Sequence, residues 1–189
     1  GASARAAAAA AGHSEVAELL AGLGAAASAS DSPGTRVLLL EEALHEAARR
    51  GDREECAALL REGSLAVDAE LGGETALLQA CGAGAGGAVE LLLQARADPE
   101  AEGGQGETPL ATLARRSGAP LGVARALLAS RADPGRSCGS SGETLLTEAA
   151  RHGNEMLCLL LVESGADPAH RSWRAGAEQE TSGEPGGEG

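Results

Sequence analysis

The stretch GQGETPLATLA, Gly104 to Ala114, sets a glycine, a glutamate, a threonine, a proline and a leucine in an order that reads as the start of a helix. Thr108 stands at the N-cap, where a hydroxyl accepts one of the backbone N–H groups that a helix start leaves without a partner. Pro109 follows at the first helical position; its missing N–H costs nothing there. Leu110 opens an apolar face, and Gly106 lets the preceding chain turn sharply. The phrase recurs as GGETALLQACG, Gly72 to Gly82, and as SGETLLTEAAR, Ser141 to Arg151.

Aligned on Thr75, Thr108 and Thr144, the copies are 33 and then 36 residues apart, a period that signals a stacked repeat. Two worn copies precede them: one starts at Glu42, 33 residues before Thr75, and another at Ser3, 39 residues before Glu42. Each start is followed by an Ala-rich segment, a glycine, and a second segment ending in leucines. The glycines are Gly12, Gly51, Gly84, Gly118 and Gly153, and three units close on RADP, RADP and GADP at Arg96 to Pro99, Arg131 to Pro134 and Gly165 to Pro168.

This pattern predicts two short antiparallel helices per unit. A lone pair of such helices buries too little surface: ordering a residue costs about 1.5 kcal/mol, while burying a leucine returns about 1.5 to 3 kcal/mol. Stacking is therefore required, with small residues such as Ala47, Ala48, Ala149 and Ala150 allowing close approach of the first helices. Without Phe or Tyr and with Trp173 alone, the core must consist of Leu, Val and Ala.

The constellation GxTPLxxxA, then G, then a leucine-rich helix, then GADP resembles the ankyrin repeat family, strongly from about residue 37 and more weakly before it. The resemblance implies an all-α solenoid of helix-turn-helix units with projecting β-turn fingers, here about Val67 to Gly73, Asp98 to Gly106 and Asp133 to Gly142. The units expected are a degenerate first repeat and connection at 1–36, repeats at 37–70, 71–103, 104–137 and 138–174, and a disordered acidic tail at 175–189. Ala25 to Arg36 reads as the long connection. Only Thr108 carries the Pro and only His45 the family's His, which is expected to hydrogen-bond near its helix start. Two extra residues around Gly118 to Gly122 enlarge the turn of the third strong unit.

The resemblance further implies a non-catalytic protein-binding module or adaptor, a monomer on its own, that uses a concave face. The residue before each cap and the residue four after it would line that face: Glu41, Glu74, Glu107 and Glu143 at the first position, Glu46, Gln79, Thr112 and Glu148 at the second. A net charge of −13 points to a basic protein segment as partner. A carboxylate beside a helix N-terminus is also stabilising in its own right, by about 0.3 to 1 kcal/mol. Other expectations are a regulatory or substrate-recruiting segment of a larger enzyme such as a kinase or ubiquitin ligase, and a chaperone-like carrier of targeting segments; the start at Gly1 rather than Met reads as a processed product or an excerpt of something longer.

The acidity excludes nucleic acid as partner, because phosphates need basic clusters. Cys56, Cys81, Cys138 and Cys158 show no metal-ligand spacing, so neither metal nor cofactor is expected and a reducing cytoplasmic or nuclear location is. Cys56 and Cys158 share a register and read as small buried residues, while Cys138, in a finger, reads as an exposed thiol. His13 and His152 fall at turns and His170 in the last finger, which leaves no catalytic set. GAGAGG, Gly82 to Gly87, lacks the strand and lysine of a phosphate-binding loop and falls at the turn between helices. No run approaches the roughly 18 apolar residues of a membrane span.

Overall fold

A computed structural model of the chain describes residues 33–63, 65–138 and 142–169. The expected first repeat, apart from residues 33–36, the tail, His13 and His170 lie outside the described residues. The described part is a run of helix pairs. In chain order these are α1 (Pro33–Arg50) and α2 (Arg53–Leu60), α3 (Ala76–Ala83) and α4 (Gly86–Gln94), α5 (Pro109–Arg115) and α6 (Leu121–Ala129), and α7 (Leu145–Arg151) and α8 (Glu155–Glu163). Two fingers carry antiparallel hairpins. In one, β1 (Glu70–Leu71) pairs with β2 (Glu74–Thr75), Glu70 opposite Thr75; in the other, β3 (Ser137–Cys138) pairs with β4 (Glu143–Thr144), Ser137 opposite Thr144.

The predicted caps are present. Thr75 accepts from the Leu78 N–H at 3.3 Å, Thr108 from Ala111 at 3.3 Å and Thr144 from Thr147 at 3.2 Å. The worn copy is built differently. Helix α1 runs on from Pro33, so Glu42 lies inside a helix and residues 33–36 belong to that helix instead of the expected connection. The physical reason is local: LLLEEALHEAARR has neither the glycine nor the capping threonine that interrupts the chain in later units, and its residues favour helix.

First helices α1, α3, α5 and α7 contact one another in order, and second helices α2, α4, α6 and α8 form a parallel layer. Between the layers Leu59, Leu92, Leu127 and Leu161, one per unit at the same register, are completely buried. On the first helices Ala47, Ala48, Ala80, Cys81, Ala114 and Ala149 are buried, as close stacking requires. Ala150 is exposed and Cys158 only half buried, contrary to expectation. Both belong to the last pair among the described residues, against which no further described pair stacks. How tight the stacking is shows at Gly51: at φ +74 it turns the chain, and a Cβ there would stand 2.9 Å from the Ala85 methyl of the next unit.

The enlarged turn between α5 and α6 is held by one side chain. Asn154, the chain's only asparagine, is buried; it accepts from the Gly118 N–H at 3.1 Å and donates to the carbonyls of Ala114 at 2.9 Å and Arg116 at 2.8 Å. A turn lengthened in one unit is thus clipped from the next.

Candidate functional site

The GET phrase fixes where the charges fall. Its glutamate precedes the cap, and seven residues after each start comes the last turn of the first helix: Arg49, Gly82, Arg115 and Arg151. Two helical turns separate these positions, and a long guanidinium side chain can reach back across them. Arg115 pairs with Glu107, and Arg151 with Glu143. Glu148 joins both arginines: Arg115 Nε donates to it at 3.1 Å and Arg151 Nη1 at 2.9 Å, with His152 Nε2 3.7 Å away. Its side chain is only 8% exposed, so these donors replace the water it has lost.

The eight residues singled out in the sequence therefore do not form one bare acidic ladder. Glu107, Glu143 and Glu148 are joined into an ion-pair network. Glu46 is exposed and held by Arg49 at 2.7 Å. Glu41 is nearly buried along α1, where it accepts from the Ala66 N–H at 3.3 Å. Because Glu41 is within a helix, attraction to a helix N-terminus does not account for it. Thr112 donates its hydroxyl to the Thr108 carbonyl at 3.1 Å.

Glu74, Gln79, Glu107 and Thr112 line one cavity of about 440 Å3 between the first helices α3 and α5 and the fingers that precede them. Arg49 and Gln105 stand at its wall, and the glycines of two adjacent fingers form its floor. Those fingers meet through bare main chain, with the Gly104 N–H donating to the Gly73 carbonyl at 2.5 Å. Glu74, Gln79, Gln105, Glu107, Thr112 and Arg49 supply its polar lining, and Leu78, Ala83 and five glycines supply the rest.

The fingers are tied together by side chains that the repeat pattern did not mark. Asp68 accepts from the Asp98 N–H at 2.9 Å, and Glu100 accepts from the Asp133 N–H at 2.8 Å and from Arg136 at 2.6 Å. The aspartates of the closing ADP words each cap their own turn: Asp98, Asp133 and Asp167 accept from the N–H two residues on. His45, expected to bond near its own helix start, instead donates from Nε2 to the Ala69 carbonyl, 24 residues away, at 2.9 Å. Burial pushes its pKa below 6.5.

The cysteines are poor nucleophiles. Cys138, expected to be exposed, is completely buried on β3, within reach of the charges of Glu148, Arg115, Glu143 and Arg151. Burial pushes its thiol up to about 11, and those of Cys56 and Cys81 up to about 12. Reactivity belongs to the thiolate, which is scarce at neutral pH for such groups. Among the described residues no group of three or more His, Cys, Asp or Glu side chains could hold a metal ion, and no helix is long and apolar enough to cross a membrane.

A family model described as ankyrin repeats in three copies matches residues 4–102 and again residues 86–172. No curated protein matches the chain.

Proposed function

Because this chain belongs to the ankyrin repeat family, whose repeats generally mediate protein–protein interaction and are typically non-catalytic, we propose that it is a binding module or adaptor that takes a basic protein segment along the face formed by its first helices and fingers. The observation that carries this reading is the groove between α3, α5 and their fingers, which is polar and acidic at its walls. A net charge of −13 steers a basic segment toward it and makes encounter depend on salt. Single exposed ion pairs contribute only about 0 to 1 kcal/mol, so affinity must come from several contacts along the groove. A carrier of apolar targeting segments would want large apolar side chains in the groove, and this one has Leu78 alone beside Ala83 and glycines.

The experiment is to cross-link the full chain to its partner in native extract, identify the contacting segment, and measure its affinity at low and high salt. Gln79→Arg and Thr112→Arg, which put cations into the groove, are expected to weaken binding about tenfold or more, a change of about 1.4 kcal/mol. Gln94→Arg, at an exposed position on α4, is the control and should leave it unchanged. Binding indifferent to the groove substitutions and to salt would overturn the reading.

A further inference from the structure

Three of the four described units carry an arginine in the last turn of the first helix, and the second carries Gly82 in its place. In the next two units that arginine folds back onto the glutamate before the cap, Arg115 onto Glu107 and Arg151 onto Glu143. Glu74 is the glutamate left by Gly82. Among the described residues no cation pairs with it: Arg49, the arginine of the preceding unit, is forked onto Glu46 at 2.7 to 3.0 Å. Where the missing side chain would begin, the space is open. A Cβ on Gly82 would meet only the Thr112 methyl, at an ordinary 3.8 Å, and the cavity of about 440 Å3 extends from there.

We infer that this cavity seats an arginine side chain of the bound segment, whose guanidinium takes the place that Arg115 and Arg151 take in the following units. The inference rests on the groove-binding reading and adds the residue that the groove reads. Glu74 supplies the carboxylate. Thr112 stands in the next unit at the position from which Glu148 accepts Arg115 Nε. Its hydroxyl donates to Thr108 and keeps lone pairs for a second guanidinium N–H. Two acceptors set apart in this way suit the planar, forked donor set of arginine better than the point charge of lysine. Gln79, Gln105 and Glu107 line the remaining wall together with Arg49, whose guanidinium is held by Glu46.

The test is selection of random phage-displayed peptides on the full chain, followed by affinity measurements on three variants. Enriched peptides are expected to share an arginine at one fixed position, and replacing that arginine by glutamine or lysine should lower affinity about tenfold or more. Gly82→Arg supplies the guanidinium from the chain itself and should cost a similar factor, whereas Gly82→Ala should bind nearly as the natural chain does. Thermal unfolding adds a readout that needs no partner: Gly82→Arg should raise Tm relative to Gly82→Ala, and Glu74→Gln should abolish the difference. Peptides without a fixed arginine, peptides that bind Gly82→Arg undiminished, or failure to enrich any peptide would overturn the seat. If peptides ignore Gly82→Arg yet are lost on Gln79→Trp, which fills the groove, the groove reading stands and the seat falls. Peptides indifferent to both overturn the two together.

Discussion

At His45 the chain has placed a titratable ring where only its neutral form fits. Its Nε2–H is donated to the Ala69 carbonyl, and its Nδ1 is buried with no described partner, so a second proton would have no acceptor. Burial is the largest influence and lowers the pKa; the Ala69 bond and the charges of Glu41 and Glu74 oppose it. Well above pH 6.5 the ring is neutral in folded and unfolded chains alike. As pH falls below 6.5 the unfolded chain takes the proton first, so stability drops until the folded-state pKa is passed. Urea unfolding should therefore show a loss of stability as pH falls through 6.5, part of which His45→Gln removes, because the amide can still donate to Ala69 but does not titrate. An identical pH slope in the variant would deny the ring this role.

Elements are joined here by caps and clips rather than by long helices. Three helices start on a threonine hydroxyl, and losing one such cap, as in Thr144→Ala, should cost about 0.5 to 2 kcal/mol. Asn154 does more, since it ties the turn between α5 and α6 to the start of α8 through three bonds of 2.8 to 3.1 Å. At roughly 0.5 to 1.5 kcal/mol per buried bond, Asn154→Ala should cost about 2 to 4 kcal/mol. Asn154→Asp should lose nearly as much, because a carboxylate would face the Ala114 and Arg116 carbonyls in place of a donor. Equilibrium urea unfolding of the three variants checks the order; a smaller loss at Asn154 than at Thr144 would show that the long turn holds itself. The signal was present in the sequence as a single asparagine beside Gly153. Its target was not legible, because the partners lie 36 to 40 residues away in the unit before.

Over the whole molecule, stability is shared between neighbouring pairs. Leu127 is completely buried in an interior pair, whereas Leu159 on α8 is 58% exposed together with Met156 and Val162. Leu127→Ala should cost about 2 to 5 kcal/mol, because the rigid stack leaves a cavity. Leu159→Ala should cost less than about 1 kcal/mol, as exposed substitutions do. Thermal or urea unfolding of both variants checks this, and comparable losses would place Leu159 in a packed interface. The charged face is likewise a property of the stack: Glu107, Arg115, Glu148 and Arg151 come from two units and form one network only when α5 lies against α7.

The sequence by itself determined the repeat, the helix pairs, the capping threonines and the left-handed glycines, since each depends on residues a few positions apart. Gly51, Gly84, Gly118 and Gly153 all take positive φ at the predicted turns. The family resemblance, carried by the same residues, pointed to the positions before and four after each cap as a shared face. Which of those carboxylates remain without a cation was decided only by the tertiary structure. Glu74 and Glu107 stand in the same phrase, GET, and differ because Gly82 and Arg115 lie seven residues after their caps, where stacking turns the absence of a side chain into a cavity. The burial of Cys138 and the reach of His45 to Ala69 are of the same kind: a local pattern sets where a side chain starts, and the next unit sets what it meets.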